Sequence, residues 1–191
     1  MANDMMDEVK KAVEVLRQGG VILYPTDTIW GLGCDATNET AVKKVYDIKR
    51  RAETKSMLVL IDSPAKLQAY VSEIPDMAWE LIELTTKPLT IIYPGARNLA
   101  SNLINDDNTI GIRVTEEAFS KKLCEMFRKP VVSTSANISG EKSPALFSEI
   151  SKEIISQVDY VVNYRWDEDQ PAKASSIIKL GVKNEIQIIR E

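Results

Sequence analysis

Apolar residues recur along this chain at two spacings, and the switch between them divides it into helices and strands. Val9, Ala12, Val13 and Leu16 stand at i, i+3, i+4 and i+7, which predicts an amphipathic helix ended by Gly19-Gly20. The apolar run 21–24 predicts a strand stopped by Pro25, with residues 26–33 as a loop leaving its C-terminal end. Ala41, Val42, Val45 and Ile48 repeat the helical spacing behind a cap at Thr37 or Asn38, and that helix runs into Lys49-Arg50-Arg51. Ser63-Pro64 reads as a cap with proline at the first helical position. Further helices are predicted over 75–84, 116–127 and 147–157, and strands over 58–61, 89–93, 109–114, 130–133, 160–162, 176–180 and 186–189. Helix-separated strands and closely following terminal strands give an α/β fold: a twisted mixed parallel/antiparallel sheet with helices packed on its faces. Ligands of open α/β sheets bind outside strand C-terminal ends, so the 26–33 loop is a candidate site.

Composition narrows the classes. The 191 residues suit one domain spanning 1–191, and 44% hydrophobic with 27% charged residues is a globular balance. A net charge of -4 argues against binding duplex nucleic acid through overall charge, so an anion site has to be local. Histidine is absent, which excludes a Ser-His-Asp triad, a Cys-His pair and histidine metal sites. Cys34 and Cys124 form neither a disulfide framework nor a zinc pattern, and reduced thiols are expected. The N-terminus lacks the features of a signal peptide and no apolar run approaches membrane-spanning length, so a cytoplasmic location without membrane association is expected.

Three segments carry candidate chemistry. Between Lys43 and Lys55 six basic residues face two acidic ones. Lys43, Lys44 and Asp47 read as a solvated helix face, whereas Lys49, Arg51 and Lys55 sit where helix gives way to loop and can converge on a polyphosphate; a solvated run and a phosphate site weigh equally here. The stretch Ser133-Thr-Ser135-Ala-Asn137-Ile-Ser139-Gly140 follows a strand and is either a turn with a helix cap or a set of donors for phosphate and sugar oxygens. The third, Tyr24-Pro-Thr-Asp-Thr28-Ile-Trp30-Gly-Leu-Gly33, offers Thr28 as a partner for a small polar substrate and Trp30 as core or pocket wall. Asp27 could orient the loop or sit near a metal, but a single carboxylate receives no catalytic role.

Taken in order, these segments resemble the YrdC-like threonylcarbamoyl-adenylate synthases, whose signature is PTDTxYGLG, then KxR, then SxN; here they stand as residues 24–33, Lys49-Arg50-Arg51 and Ser135-Ala-Asn137. Gly111-Ile-Arg113-Val is similar to the family's GVR strand, Ser143-Pro144 to its SP step, 174–178 to its STIV segment and Ile189-Arg190 to its terminal arginine. The resemblance covers nearly the whole chain and implies a short, single-domain YrdC-like form.

It further implies the reaction: L-threonine, bicarbonate and ATP give threonylcarbamoyl-AMP and pyrophosphate, for N6-threonylcarbamoyladenosine in tRNA. Arg51, Lys55, Ser135, Ser143 and Arg190 would contact ATP, Lys49 and Asn137 would complete the wall around the reacting groups, and Thr28, Arg113 and Ser175 would hold threonine. A carbamate oxygen is already an anion, so the attack needs no histidine base, and positioning with charge stabilisation remain. Mg2+ is expected through ATP phosphates, with no protein metal ligand assigned, and downstream tRNA threonylcarbamoyl-transfer proteins are the expected partners, with a weak RNA contact. Trp30 replaces the common tyrosine, 85–90 depart from a PGPLT turn, and Leu60 stands where some members place a histidine near threonine. Two alternatives stay open: an RNA-binding module of the same fold, marked by salt-dependent RNA affinity without ATP turnover, and a paralogous enzyme using another carbamoyl adenylate.

Overall fold

A computed structural model describes residues 4–52, 57–183 and 185–191. The first helical pattern folds as α1 (Met5–Arg17), buried along Val9, Ala12, Val13 and Leu16 and capped by the Asp4 carboxylate, which accepts from the Met6 amide. There follow β1 (Ile22–Tyr24), β2 (Gly31–Gly33), α2 (Glu39–Lys49), β3 (Leu58–Ile61), α3 (Leu67–Tyr70), α4 (Asp76–Leu84), β4 (Leu89–Pro94) and β5 (Thr109–Val114). The chain finishes with α5 (Ala118–Phe127), β6 (Val131–Ser135), α6 (Lys152–Gln157), β7 (Tyr160–Val161), β8 (Ser176–Leu180) and β9 (Ile186–Arg190). Asn38 caps α2 by accepting from the Ala41 amide, and Ser63 caps a 3-10 turn with Pro64 at its first position.

Among the described residues the strands form one nine-stranded sheet in the order β7-β1-β2-β6-β3-β5-β4-β8-β9. β1 with β7, β3 with β5, and β4 with β8 run parallel, and the other neighbours antiparallel, which makes the sheet mixed as expected. Neighbouring strand residues fall into different apolar clusters, the consequence of side chains alternating across a sheet. Ile22, Tyr24, Leu60 and Val131 pack with α1 and α5, while Leu23, Val59, Ile61 and Val132 pack on the opposite face with α2 and Ala78 of α4. Helices therefore cover both faces.

Two expectations need correction. Residues 26–33 are not loop throughout: Gly31–Gly33 is a strand pairing with both β1 and β6. Its Gly-Leu-Gly sequence carries little strand propensity, and its reason for glycine is space, since a Cβ at Gly33 would lie 2.6 Å from the Tyr24 ring and 2.9 Å from the Val132 carbonyl. The segment 147–157 is also not one helix, because Ile150 and Ser151 are extended and divide it into a 3-10 turn at Phe147–Glu149 and α6. Ser151 starts α6 by accepting from the Ile154 amide.

Candidate functional site

On the α1/α5 side of the sheet, the helices stop short of β5, β4 and β8, and the uncovered part of that face forms the floor of a cavity of about 250 Å³. Alternation selects the residues that reach it. Along β5, Gly111 and Arg113 face the cavity while Ile110 and Ile112 enter the core behind; Thr90 and Ile92 do the same from β4 and Leu58 from β3. Ser133 and Ser135 contribute from β6, Ile177 from β8 and Ser175 from the residue just before it. Ligand space thus spreads over the sheet's face as well as along the end of β1.

Seven of the residues expected to bind substrates converge here: Thr28, Arg51, Arg113, Ser135, Ser143, Ser175 and Arg190 all line the cavity. Its described lining holds three arginines and no carboxylate. Burial lowers the basicity of Arg51, and burial together with the charge of Arg113 lowers that of Arg190. Arg190 Nε donates to the Ser175 carbonyl at 2.8 Å and Ser175 Oγ lies 2.9 Å from Thr90 Oγ1, tying β9, β8 and β4 together at this wall. Arg113 is 2% exposed; its Nη2 donates to Thr28 Oγ1 at 3.4 Å and lies 2.9 Å from Asp27 Oδ1. Its Nε is buried with no hydrogen-bond partner among the described residues.

Lys49 and Asn137 are placed differently. α2 ends on Arg50 in the left-handed conformation (φ 49°), with the Arg51 amide donating back to the Tyr46 carbonyl. That reversal sends flanking side chains apart: Arg51 to the cavity, Lys49 inward, where it is 1% exposed. The Lys49 ammonium donates to the Ser135 carbonyl and, at 2.8 Å, to that of Asn137, while the Ser139 amide donates to the Lys49 carbonyl at 2.8 Å. Burial, with repulsion from Arg51, brings the ammonium down to about 8. Asn137 uses its amide within its own turn, donating to the Ile138 and Glu141 carbonyls at 3.0 and 2.9 Å, and accepts from Ser143 Oγ at 3.5 Å. Both readings of the 133–140 stretch therefore hold in part: Ser135 lines the cavity and Asn137 builds a turn. Lys55 lies outside the described residues.

Trp30 is core, 4% exposed, with its ring 4.8 Å from Phe147, which stacks on Trp166 at 4.5 Å. These three rings anchor the segment that follows Ser143. Leu60 is fully buried against α5 rather than in the cavity. Ser133 and Thr134, within the candidate donor stretch, also line the cavity, as do Thr90 and Asn105, which were not singled out from sequence; Thr90 is a hydroxyl inside an otherwise apolar strand, a signal that alternation exposes. Cys34 and Cys124 are free, buried thiols held protonated by desolvation.

The fold agrees with the comparisons to known proteins. The Sua5/YciO/YrdC family model, described as telomere recombination, matches residues 14–191, and the chain belongs to that family. A threonylcarbamoyl-AMP synthase of Pseudoalteromonas translucida is 36% identical over 158 residues, covering 81% of this chain and 84% of the relative. One of Vibrio cholerae is 34% identical over 161 residues, covering 83% and 86%. The crystal structure of P. abyssi Sua5 complexed with L-threonine superposes with a TM-score of 0.83 at 25% identity, over 93% of this chain. The chain spans about half the length of that solved protein, 52%.

Proposed function

We propose that the chain is an L-threonylcarbamoyladenylate synthase, a nucleotidyltransferase that joins L-threonine, bicarbonate and ATP into threonylcarbamoyl-AMP with release of pyrophosphate. The observation that carries this reading is a cavity with three arginines, a row of hydroxyls and no carboxylate among its described lining residues, in a chain of the Sua5/YciO/YrdC family. Such a cavity suits two anionic substrates at once, a carboxylate and a triphosphate.

Arg113 takes the threonine carboxylate. Its buried, unpartnered Nε is a donor for which a ligand oxygen offers the missing bond, and Thr28 and Ser175 flank it with hydroxyls. Threonine's amine adds to bicarbonate-derived carbon dioxide to give a carbamate, whose oxygen attacks the α-phosphorus of ATP; the α,β-bridging P–O bond breaks and pyrophosphate leaves. Arg51, Ser135, Ser143 and Arg190, with Lys55, bind the nucleotide and its phosphates and stabilise the charge that develops on the leaving group. Lys49 and Asn137 act through the loop: Lys49 fixes the carbonyls of Ser135 and Asn137, and Asn137 closes the turn that presents Ser143. No carboxylate lines the described cavity, so Mg2+ would arrive on the ATP phosphates with water completing its shell.

Residues 1–191 act as one catalytic domain in the cytoplasm, and the product passes to tRNA threonylcarbamoyl-transfer proteins. No helix among the described residues is long and apolar enough to cross a membrane. The test is pyrophosphate release from ATP: it requires L-threonine and bicarbonate together, and release with either one omitted contradicts the proposal.

A further inference from the structure

The proposed reaction gives the carboxylate of Asp27 no task. Its position is nonetheless tightly determined. Thr26 Oγ1 accepts from the Thr28 amide at 3.0 Å and donates to the Ile29 carbonyl at 2.8 Å, closing the loop on itself. From behind, Arg165 Nη1 donates to the Thr26 carbonyl and to Glu117 Oε1, both at 3.2 Å, and Glu117 in turn caps α5 by accepting from the Phe119 and Ser120 amides. The loop is thereby fastened to the α5 N-terminus, and Asp27 has little freedom.

Its carboxylate meets the guanidinium that the proposed reaction needs. Asp27 Oδ1 lies 2.9 Å from Arg113 Nη2, yet the two are not aligned as a hydrogen bond: Asp27 Oδ1 and Arg113 Nε are both buried polar atoms without a hydrogen-bond partner. The pair is coulombic and leaves hydrogen-bonding capacity on the arginine. Burial raises the pKa of Asp27 above its ordinary value, while the charge of Arg113 pulls it back down. Arg113 itself is more deeply buried than Asp27, with side-chain exposures of 2% and 14%, and no other carboxylate pairs with it among the described residues.

Resting on the synthase reading, we propose that Asp27 is a positioning residue for threonine: it supplies the counter-charge beside the buried Arg113 and holds its Nη2 side, so that Nε is presented to the substrate carboxylate. Asp27 touches no substrate in this scheme. Its effect is confined to the amino acid, because the nucleotide's arginines, Arg51 and Arg190, are not its partners.

Calorimetric titration of L-threonine and, separately, of ATP into the wild type, Asp27→Asn and Asp27→Glu tests this. Asp27→Asn keeps the side chain's shape and removes its charge; it is expected to weaken threonine about tenfold or more while ATP binding stays within about twofold. Asp27→Glu keeps the charge and is expected to recover part of the loss, a rescue that a purely space-filling role would not give. Equal threonine affinity in Asp27→Asn and wild type overturns the inference, as does parallel loss of threonine and ATP, or an Asp27→Glu no better than Asp27→Asn. Failure of the wild type to bind threonine overturns the synthase reading itself, and the role of Asp27 with it, and is thus told apart from failure of the positioning role alone.

Discussion

Replacing Lys49 with methionine separates the two roles that a lysine of a KxR signature can have. Methionine fills nearly the same volume and donates nothing. Removing the ammonium leaves the Asn137 carbonyl without its donor, a loss of about 1–3 kcal/mol if that oxygen stays buried, whereas the Ser135 carbonyl still accepts from the Asn137 amide at 2.9 Å. The lost charge-assisted bond to Ser135 adds about 1–2 kcal/mol. Against this stands the relief of burying a charge: the ammonium falls from 10.5 to about 8, roughly 3 kcal/mol at about 1.36 kcal/mol per pH unit. The terms nearly cancel, so Lys49→Met is expected to fold at pH 7 with a melting temperature within several degrees of wild type. Product formation is expected to fall by about tenfold or more, because the Ser135 and Asn137 backbone is no longer pinned to α2.

The same shift sets a pH signature. Between about 8 and 10.5 the unfolded chain holds a proton on Lys49 that the folded chain has released, so folding stability gains from rising pH. Denaturant titrations at pH 7.5 and 10 should show the wild type gaining about 2 kcal/mol relative to Lys49→Met. A variant that loses its fold at pH 7, or one that keeps full activity, or a stability difference that does not change with pH, refutes this reasoning.

Two further substitutions probe the wall and the floor of the site. Arg51→Ala removes a cavity-lining cation and is expected to raise the KM for ATP about tenfold or more with the threonine KM little changed; steady-state kinetics with each substrate varied will show a wrong assignment as an unaltered ATP dependence. Gly33→Ala places a methyl 2.6 Å from the Tyr24 ring and is expected to cost about 1–3 kcal/mol in a thermal melt, whereas Gly31→Ala, with its nearest neighbour at 3.4 Å, should melt close to wild type.

Much of this architecture is legible in the order of residues. The stripe Val9, Ala12, Val13, Leu16 and the apolar strands are strong periodic signals, and the sheet they build is the mixed one they imply. β2 escaped because Gly31-Leu32-Gly33 is chosen for clearance under Tyr24, which only the paired strand reveals. The break in 147–157 escaped because its apolar residues keep helical spacing across Ser151, whose capping bond is what starts α6. Signature motifs brought seven expected ligands to one cavity, yet could not say that a left-handed Arg50 turns Lys49 away from it. Asp27 was left between orienting the loop and sitting near a metal for a similar reason: its partner is Arg113, eighty-six residues further along the chain.

The central claim is tested most directly by the product formed from 13C-bicarbonate, L-threonine and ATP, read by mass spectrometry. Threonylcarbamoyl-AMP carrying the label in its carbamoyl carbon, formed in step with pyrophosphate and absent when threonine or bicarbonate is withheld, is the predicted result. An unlabelled threonine adenylate, or pyrophosphate released without threonine, would contradict it.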